Sequence, residues 1–345
     1  MTINFHHLQS AHCETGVTAN LLQHSGLDID EPLAFGIGAG LFFAYLPFIR
    51  LDGIPLTTFR VMPGSIFNRV ASMLKVRVRV RRFRNQEKAM TALDQALEEN
   101  IPVGLQVGVY WLPFFPDALR FHFNGHNIIV YGKEKGEYLI SDPTLDHPVT
   151  ISPRSLQKAR FARGAFAPQG KMYYITGCST QPHHIARAVV KGIRRTCFMM
   201  LMSPPPLGGV YGIRYLARQI PSWPEKLGDR KAILYLAQVI RMQEEIGTGG
   251  AGFRFIFGAF LQKAADVLPA QAEFLLKMSG EMTETGDRWR EFALLASRIC
   301  KERAGKNDTL TVASDILLDC ADREKAIFQE LRKNITTRLL KNHHG

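Results

Sequence analysis

At 345 residues the chain is long enough for two domains, and 46% hydrophobic against 21% charged residues excludes an intrinsically disordered chain. A formal charge of +12 excludes an acidic surface and suits an acidic partner: nucleic acid, an anionic membrane face or an acidic protein. The five cysteines are odd in number and scattered, with no CxxC pair and no zinc-ligand spacing, which argues against a disulfide framework and a metal site. No common nucleic-acid-binding signature is present, so nucleic acid is not an expected partner. No basic segment followed by an apolar one opens the chain, and the expected location is cytoplasmic.

Residues 12–26 predict a helix that ends at Gly26 and carries Cys13 at its start. Unpaired N–H groups and the positive end of the helix dipole favour a thiolate there, and the thiolate is the nucleophilic form. Cys13 therefore calls for a base, an orienter and an oxyanion site. Asp28 to Pro32 reads as a polar connection. The run Pro32 to Ile49 is the most apolar stretch, but its glycines and prolines, and its length below the roughly 20 residues of a membrane span, predict a buried strand or turn. Gly36-Ile37-Gly38-Ala39-Gly40 lacks the glycine offset of a dinucleotide loop. Leu41 to Tyr45 predicts a strand, with Phe42, Phe43 and Tyr45 as candidates for the wall of an acyl pocket.

Ser65 to Leu74 predicts a short helix with Ser65 as N-cap. Lys75 to Arg81 alternates basic residues with valine, the pattern of a half-buried strand or of a docking stripe for an acidic partner. An amphipathic helix follows at Gln86–Asn100, then a strand at Ile101–Leu112, where Tyr110 and Trp111 complete the acyl-pocket candidates. Strands at Asn127–Tyr131 and Glu137–Ser141, joined by a polar connector with glycine at each end, predict a hairpin. A short helix at Ser155–Arg163 and a strand at Lys171–Thr176 close this part. Beyond about residue 180 only helical patterns remain: 183–202, 207–219, 226–245, 251–267, 269–284, 287–303 and 309–342. They predict a mixed α+β domain at 1–178 and an all-α bundle, the more basic half, at 179–345.

His126 opens one strand of the predicted hairpin and Asp142 ends its partner, so the two can lie side by side. Asp142 would accept one imidazole N–H, leaving His126 as base for Cys13. His7, His12, His122 and His147 compete for that role, His122 being the nearest rival. One oxyanion donor is the Cys13 backbone N–H. A papain-like enzyme adds a glutamine side chain ahead of the cysteine; His7 stands at that position here and Gln9 is two residues later, and either could donate.

The run His12-Cys13-Glu14-Thr15 with Asn20-Leu21-Leu22, Gly26, Glu31 and Phe35 to Tyr45 resembles the N-terminal domain of the butirosin-biosynthesis BtrH family, as do Tyr110-Trp111-Leu112-Pro113, Gly125-His126 and Ser141-Asp142-Pro143. The second half, with Gly247-Thr248-Gly249-Gly250 and Phe253-Arg254, is similar to the helical domain that often follows it. The resemblance implies an α+β papain-like cysteine fold with an antiparallel sheet, followed by an all-α domain, used for acyl transfer. The family's namesake moves an amino-acyl group from an acyl carrier protein to an aminoglycoside amine. By that resemblance Cys13 takes an acyl group from the phosphopantetheine thioester of a carrier protein, with no bound cofactor and no metal. His126 acts as base and then acid, Asp142 orients it, and a small-molecule or lipid acceptor offers an amine or hydroxyl, in lipid or natural-product biosynthesis. Two alternatives are a papain-like hydrolase, peptidase or amidase, on the same residues, and a non-catalytic binder of an apolar ligand. No integral membrane segment is expected; peripheral membrane contact and a homodimer are both compatible with the sequence.

Overall fold

A computed structural model describes residues 2–51, 53–203 and 206–336. In chain order the elements are α1 (Cys13–His24), α2 (Glu31–Ile37), β1 (Leu41–Leu51), β2 (Ile54–Arg60), α3 (Ile66–Met73), β3 (Arg77–Arg81), α4 (Gln86–Glu98), β4 (Val103–Val107), β5 (His126–Glu134), β6 (Glu137–Ser141), β7 (Val149–Ile151), α5 (Pro153–Arg160) and β8 (Met172–Gly177). The helices α6 (Pro182–Met202), α7 (Gly209–Gln219), α8 (Trp223–Leu227), α9 (Asp229–Glu244), α10 (Arg254–Val267), α11 (Ala272–Cys300) and α12 (Leu310–Asn334) follow. The fold class is α+β with antiparallel sheets and a helical C-terminal region, as the sequence predicts. No helix among the described residues is long and apolar enough to cross a membrane.

The chain divides into two compact units, Met1–Ala34 with Pro63–His184, and Phe35–Met62 with Ile185–Gly345. The single cut predicted after residue 178 therefore needs correcting: the segment 35–62 belongs with the helices. Its aromatic side chains are the reason. Phe43 lies edge-on to Phe59 at 5.2 Å and tilted to Trp289 at 6.0 Å, while Tyr45 packs on Tyr215 and Trp223. The predicted polar connection at 28–32 gives way to α2, whose first turn holds Glu31 and Pro32, and β1 pairs antiparallel with the unpredicted β2.

In the first unit a six-stranded antiparallel sheet runs in the order β3-β8-β4-β5-β6-β7. Val17 and Leu21 of α1 and Phe67 of α3 cover one face, against Ile129 and Tyr173. Leu93 and Leu97 of α4 and Leu156 of α5 are buried with Leu105, Ile128 and Val130 on the other. Burial on both faces explains why β5 reads as the unbroken run Ile128-Ile129-Val130 and not as an alternation. The valine face predicted at 75–81 is less buried than the pattern implies. β3 is the last strand of the sheet, Val80 is 40% exposed, and Arg77, Arg79 and Arg81 are exposed.

In the second unit the helices predicted at 269–284 and 287–303 are one continuous helix, α11. Gly286, between the two predicted ranges, sits inside it because the ring of Phe255 occupies the place of a side chain: an added Cβ would come within 2.6 Å of it. The helix predicted at 226–245 is divided at Gly228, whose φ of +78° suits glycine. The end of the helix predicted at 309–342 runs past residue 336, outside the described residues.

Candidate active site

Cys13 is the first residue of α1 and is 8% exposed. His12 is the N-cap, in extended conformation, and its side chain accepts from the Thr15 N–H. Glu31, unassigned by the sequence, braces this turn. Its carboxylate accepts from the backbone N–H of Ala11 at 2.8 Å and of His12 at 2.7 Å, and from the Thr15 hydroxyl at 2.9 Å. Burial still raises the Glu31 carboxyl above its ordinary range, against those donors. Glu14 turns the other way and accepts from the backbone N–H of Gly64 and Ile66, at 2.9 and 2.8 Å, capping α3 in place of Ser65, whose side chain makes no cap bond. Glu31 thus fixes the backbone just ahead of Cys13, and Glu14 ties the residue after it to the start of α3.

Gly16 allows the approach of the opposing loop, since a Cβ there would lie 2.6 Å from Pro143 and 2.7 Å from Ser10. Ser10 donates its backbone N–H to the Pro143 carbonyl at 2.6 Å. That loop carries Asp142. The His126 Nε2 to Asp142 Oδ2 distance is 2.6 Å, and Asp142 Oδ1 accepts from the Thr144 N–H and hydroxyl at 3.0 and 2.8 Å. The pairing follows from the β5–β6 register, which puts Ile129 opposite Ser141 and so brings the two strand ends together. His126 is also close enough to Cys13 for the two to act on each other electrostatically.

Burial by itself would push His126 towards the neutral form; the charges of Asp142 and Cys13 and their hydrogen bonds override it and raise the imidazole well above its ordinary value. Burial would likewise raise Asp142, but the His126 charge and the Thr144 donors hold its carboxyl below the usual range. The surroundings therefore favour the charged forms of both, an imidazolium beside a carboxylate. Phe115 stands edge-on to the His126 ring at 5.7 Å.

The competing histidines are engaged elsewhere. His7 pairs Nδ1 with the Ser141 hydroxyl at 2.7 Å and donates Nε2–H to the Leu145 carbonyl at 3.1 Å, so it holds the loop around Asp142 and not an oxyanion. Gln9, the other oxyanion candidate, is exposed. His122 stacks on Tyr110 at 4.3 Å, and His147 is exposed beside Asp146. Of the acyl-pocket candidates, Phe43 and Tyr45 are core residues of the other unit, and Phe42 lies against Gly208 there. Tyr110 and Trp111 remain in the unit of Cys13, Trp111 beneath the Lys158 ammonium at 4.9 Å. Among the described residues no group of three His, Cys, Asp or Glu stands where it could hold a metal ion.

A cysteine at a helix start, an imidazole electrostatically coupled to it and a carboxylate behind the imidazole, the last two at the ends of neighbouring antiparallel strands, are the parts from which a cysteine nucleophile is built. The family model described as a domain of unknown function, DUF4872, matches residues 154–331, about half of the chain, and the chain belongs to that family. Ahead of it, the model described as Butirosin biosynthesis protein H, N-terminal, matches residues 12–143, which hold Cys13, His126 and Asp142. Among solved structures, one described as a C39-like peptidase from Bacillus anthracis is 16% identical over 52% of this chain and 98% of that one, with a TM-score of 0.36. No curated protein matches the chain.

Proposed function

We propose that the protein is a cysteine acyltransferase that draws an acyl group from an acyl carrier protein thioester and passes it to an amine or hydroxyl acceptor in a biosynthetic sequence. The observation that carries this reading is the buried His126–Asp142 pair beside the helix-start Cys13, inside the segment that the BtrH N-terminal model matches. In the first half-reaction the Cys13 sulfur attacks the thioester carbonyl, and the bond from that carbon to the phosphopantetheine sulfur breaks. The departing thiolate takes the proton from His126. In the second half-reaction the acceptor N–H or O–H gives its proton to His126 as it attacks, the carbon–Cys13 bond breaks, and the pair returns to its starting state. Asp142 keeps the ring oriented and offsets the charge that appears on it. The net charge of +12 supports an acidic carrier as partner.

The test is the intact mass of the protein mixed with acyl-loaded carrier protein. An increase by the mass of the acyl group, absent in Cys13→Ala and discharged by an acceptor amine, is the expected result. Release of free acid with no dependence on an acceptor, together with cleavage of peptide amides, overturns it in favour of a hydrolase.

A further inference from the structure

Asn127 enters the site from a direction the two half-reactions do not use. It follows His126 on β5, so its side chain leaves the opposite face of the sheet, beneath the start of α1, where it is 1% exposed. Three neighbours set its amide. The Tyr173 hydroxyl donates to Asn127 Oδ1 at 2.8 Å. The Gly125 carbonyl, which can only accept, takes one N–H of Nδ2 at 3.0 Å. The remaining N–H points to the Cys13 sulfur, with Nδ2 to Sγ at 3.9 Å. An amide turned the other way would set its oxygen against the Gly125 carbonyl oxygen, so the donor side is fixed towards the sulfur. Burial and the negative charge of Glu14 keep the Tyr173 phenol protonated, as a donor must be.

We infer that Asn127 is a second catalytic donor to the Cys13 sulfur, separate from His126, and that Tyr173 is the positioning residue that aims it. His126 exchanges a proton with the reacting groups and so is a donor in only part of a cycle. The amide is a donor throughout. It stabilises the thiolate each time the sulfur is released and lets go as the sulfur becomes acylated and its negative charge disappears. The inference rests on Cys13 being a nucleophile and needs neither the acyl donor nor the acceptor proposed above.

Alkylation by iodoacetamide tests it directly: the sulfur–carbon bond forms, the carbon–iodine bond breaks and iodide leaves, with no substrate needed. The rate is read by mass on the peptide holding Cys13, which separates it from the exposed Cys178. Asn127→Leu is expected to slow alkylation at neutral pH by about tenfold, the effect of one hydrogen bond to a charged group, and to move the pH profile to higher pH. Asn127→Asp is expected to slow it further, since a carboxylate beside the sulfur repels the thiolate. Tyr173→Phe, which keeps the ring, is expected to slow it about threefold with the same direction of shift. A purely structural role predicts the opposite sign, because loosening the pocket exposes Cys13 and speeds alkylation. Unchanged or faster alkylation in folded Asn127→Leu overturns the inference. Should that variant not fold, an unchanged rate and profile in Tyr173→Phe does the same.

Discussion

Each unit of the molecule buries a charged pair, and the two pairs end differently. In the helical unit Arg254 and Glu324 are wholly buried. Glu324 accepts from Arg254 Nε at 2.8 Å, from Nη2 at 3.1 Å and from the Trp289 indole at 2.6 Å, and Arg254 Nη1 reaches the Gly252 carbonyl. The guanidinium lies over the Trp289 ring at 4.6 Å and the Phe59 ring at 5.5 Å. These bonds end on carboxylate and backbone carbonyl oxygens of the same unit. The His126–Asp142 pair is buried too, but His126 is coupled on its other side to the sulfur of Cys13. Buried charge alone thus does not mark a reactive site. A nucleophilic atom at the open end of the network does.

Single changes can break this contrast. The largest effect is expected for His126→Ala, which removes the proton carrier from the open network and should lower acyl-adduct formation by about 10²–10⁴-fold in stopped mass measurements. The closed network should respond in stability instead. Glu324→Ala leaves the Arg254 charge buried without its partner and should cost about 3–5 kcal/mol, read as a drop in the urea midpoint. Exchanging both partners for apolar residues of similar volume should restore most of that loss.

Asp142→Asn sharpens the comparison through pH. His126 is raised from its ordinary 6.5, so its stabilising contribution is complete below that pH and disappears as pH climbs through the folded value. Asp142 is lowered from 3.8, so its contribution is present above that pH and disappears as pH falls through the folded value. Both are complete only between pH 3.8 and 6.5, and the Asn variant should flatten the stability curve around that window. Melting curves across pH decide this; a variant with the wild-type pH dependence would show that the pair is not what links protonation to folding. The smallest effect is expected for Arg79→Ala on the exposed edge strand β3, within about 0.5 kcal/mol in the same melts.

Cys13, His126 and Asp142 were legible because each sits at a boundary that local sequence marks: a helix start, a strand start and a strand end. What braces them was not. Glu31 acts on Ala11 and His12 across a turn of chain that only the folded path closes, and a lone carboxylate in a first helical turn has an ordinary local role. Asn127 did carry a signal. Asparagine is a poor strand former, yet it precedes Ile128-Ile129-Val130 in a strand buried on both faces, where an amide needs partners. The assignment of 35–62 was illegible for another reason. Its apolar pattern says that it is buried and is silent on which core receives it, and the aromatic contacts that decide lie more than a hundred residues away in sequence.

The interruption of the first unit by 35–62 has a consequence for synthesis. The β1–β2 hairpin leaves the ribosome well before the helices that cover it. At about 5–20 residues per second its Phe43, Tyr45 and Phe59 wait on the order of ten seconds without their native neighbours. During that interval the nascent chain presents an aromatic hairpin to chaperones and to other nascent chains. A fragment starting at Ile185 would lack the hairpin altogether, so the helical half expressed by itself should be aggregation-prone, and supplying 35–62 as a separate peptide should return part of it to solution.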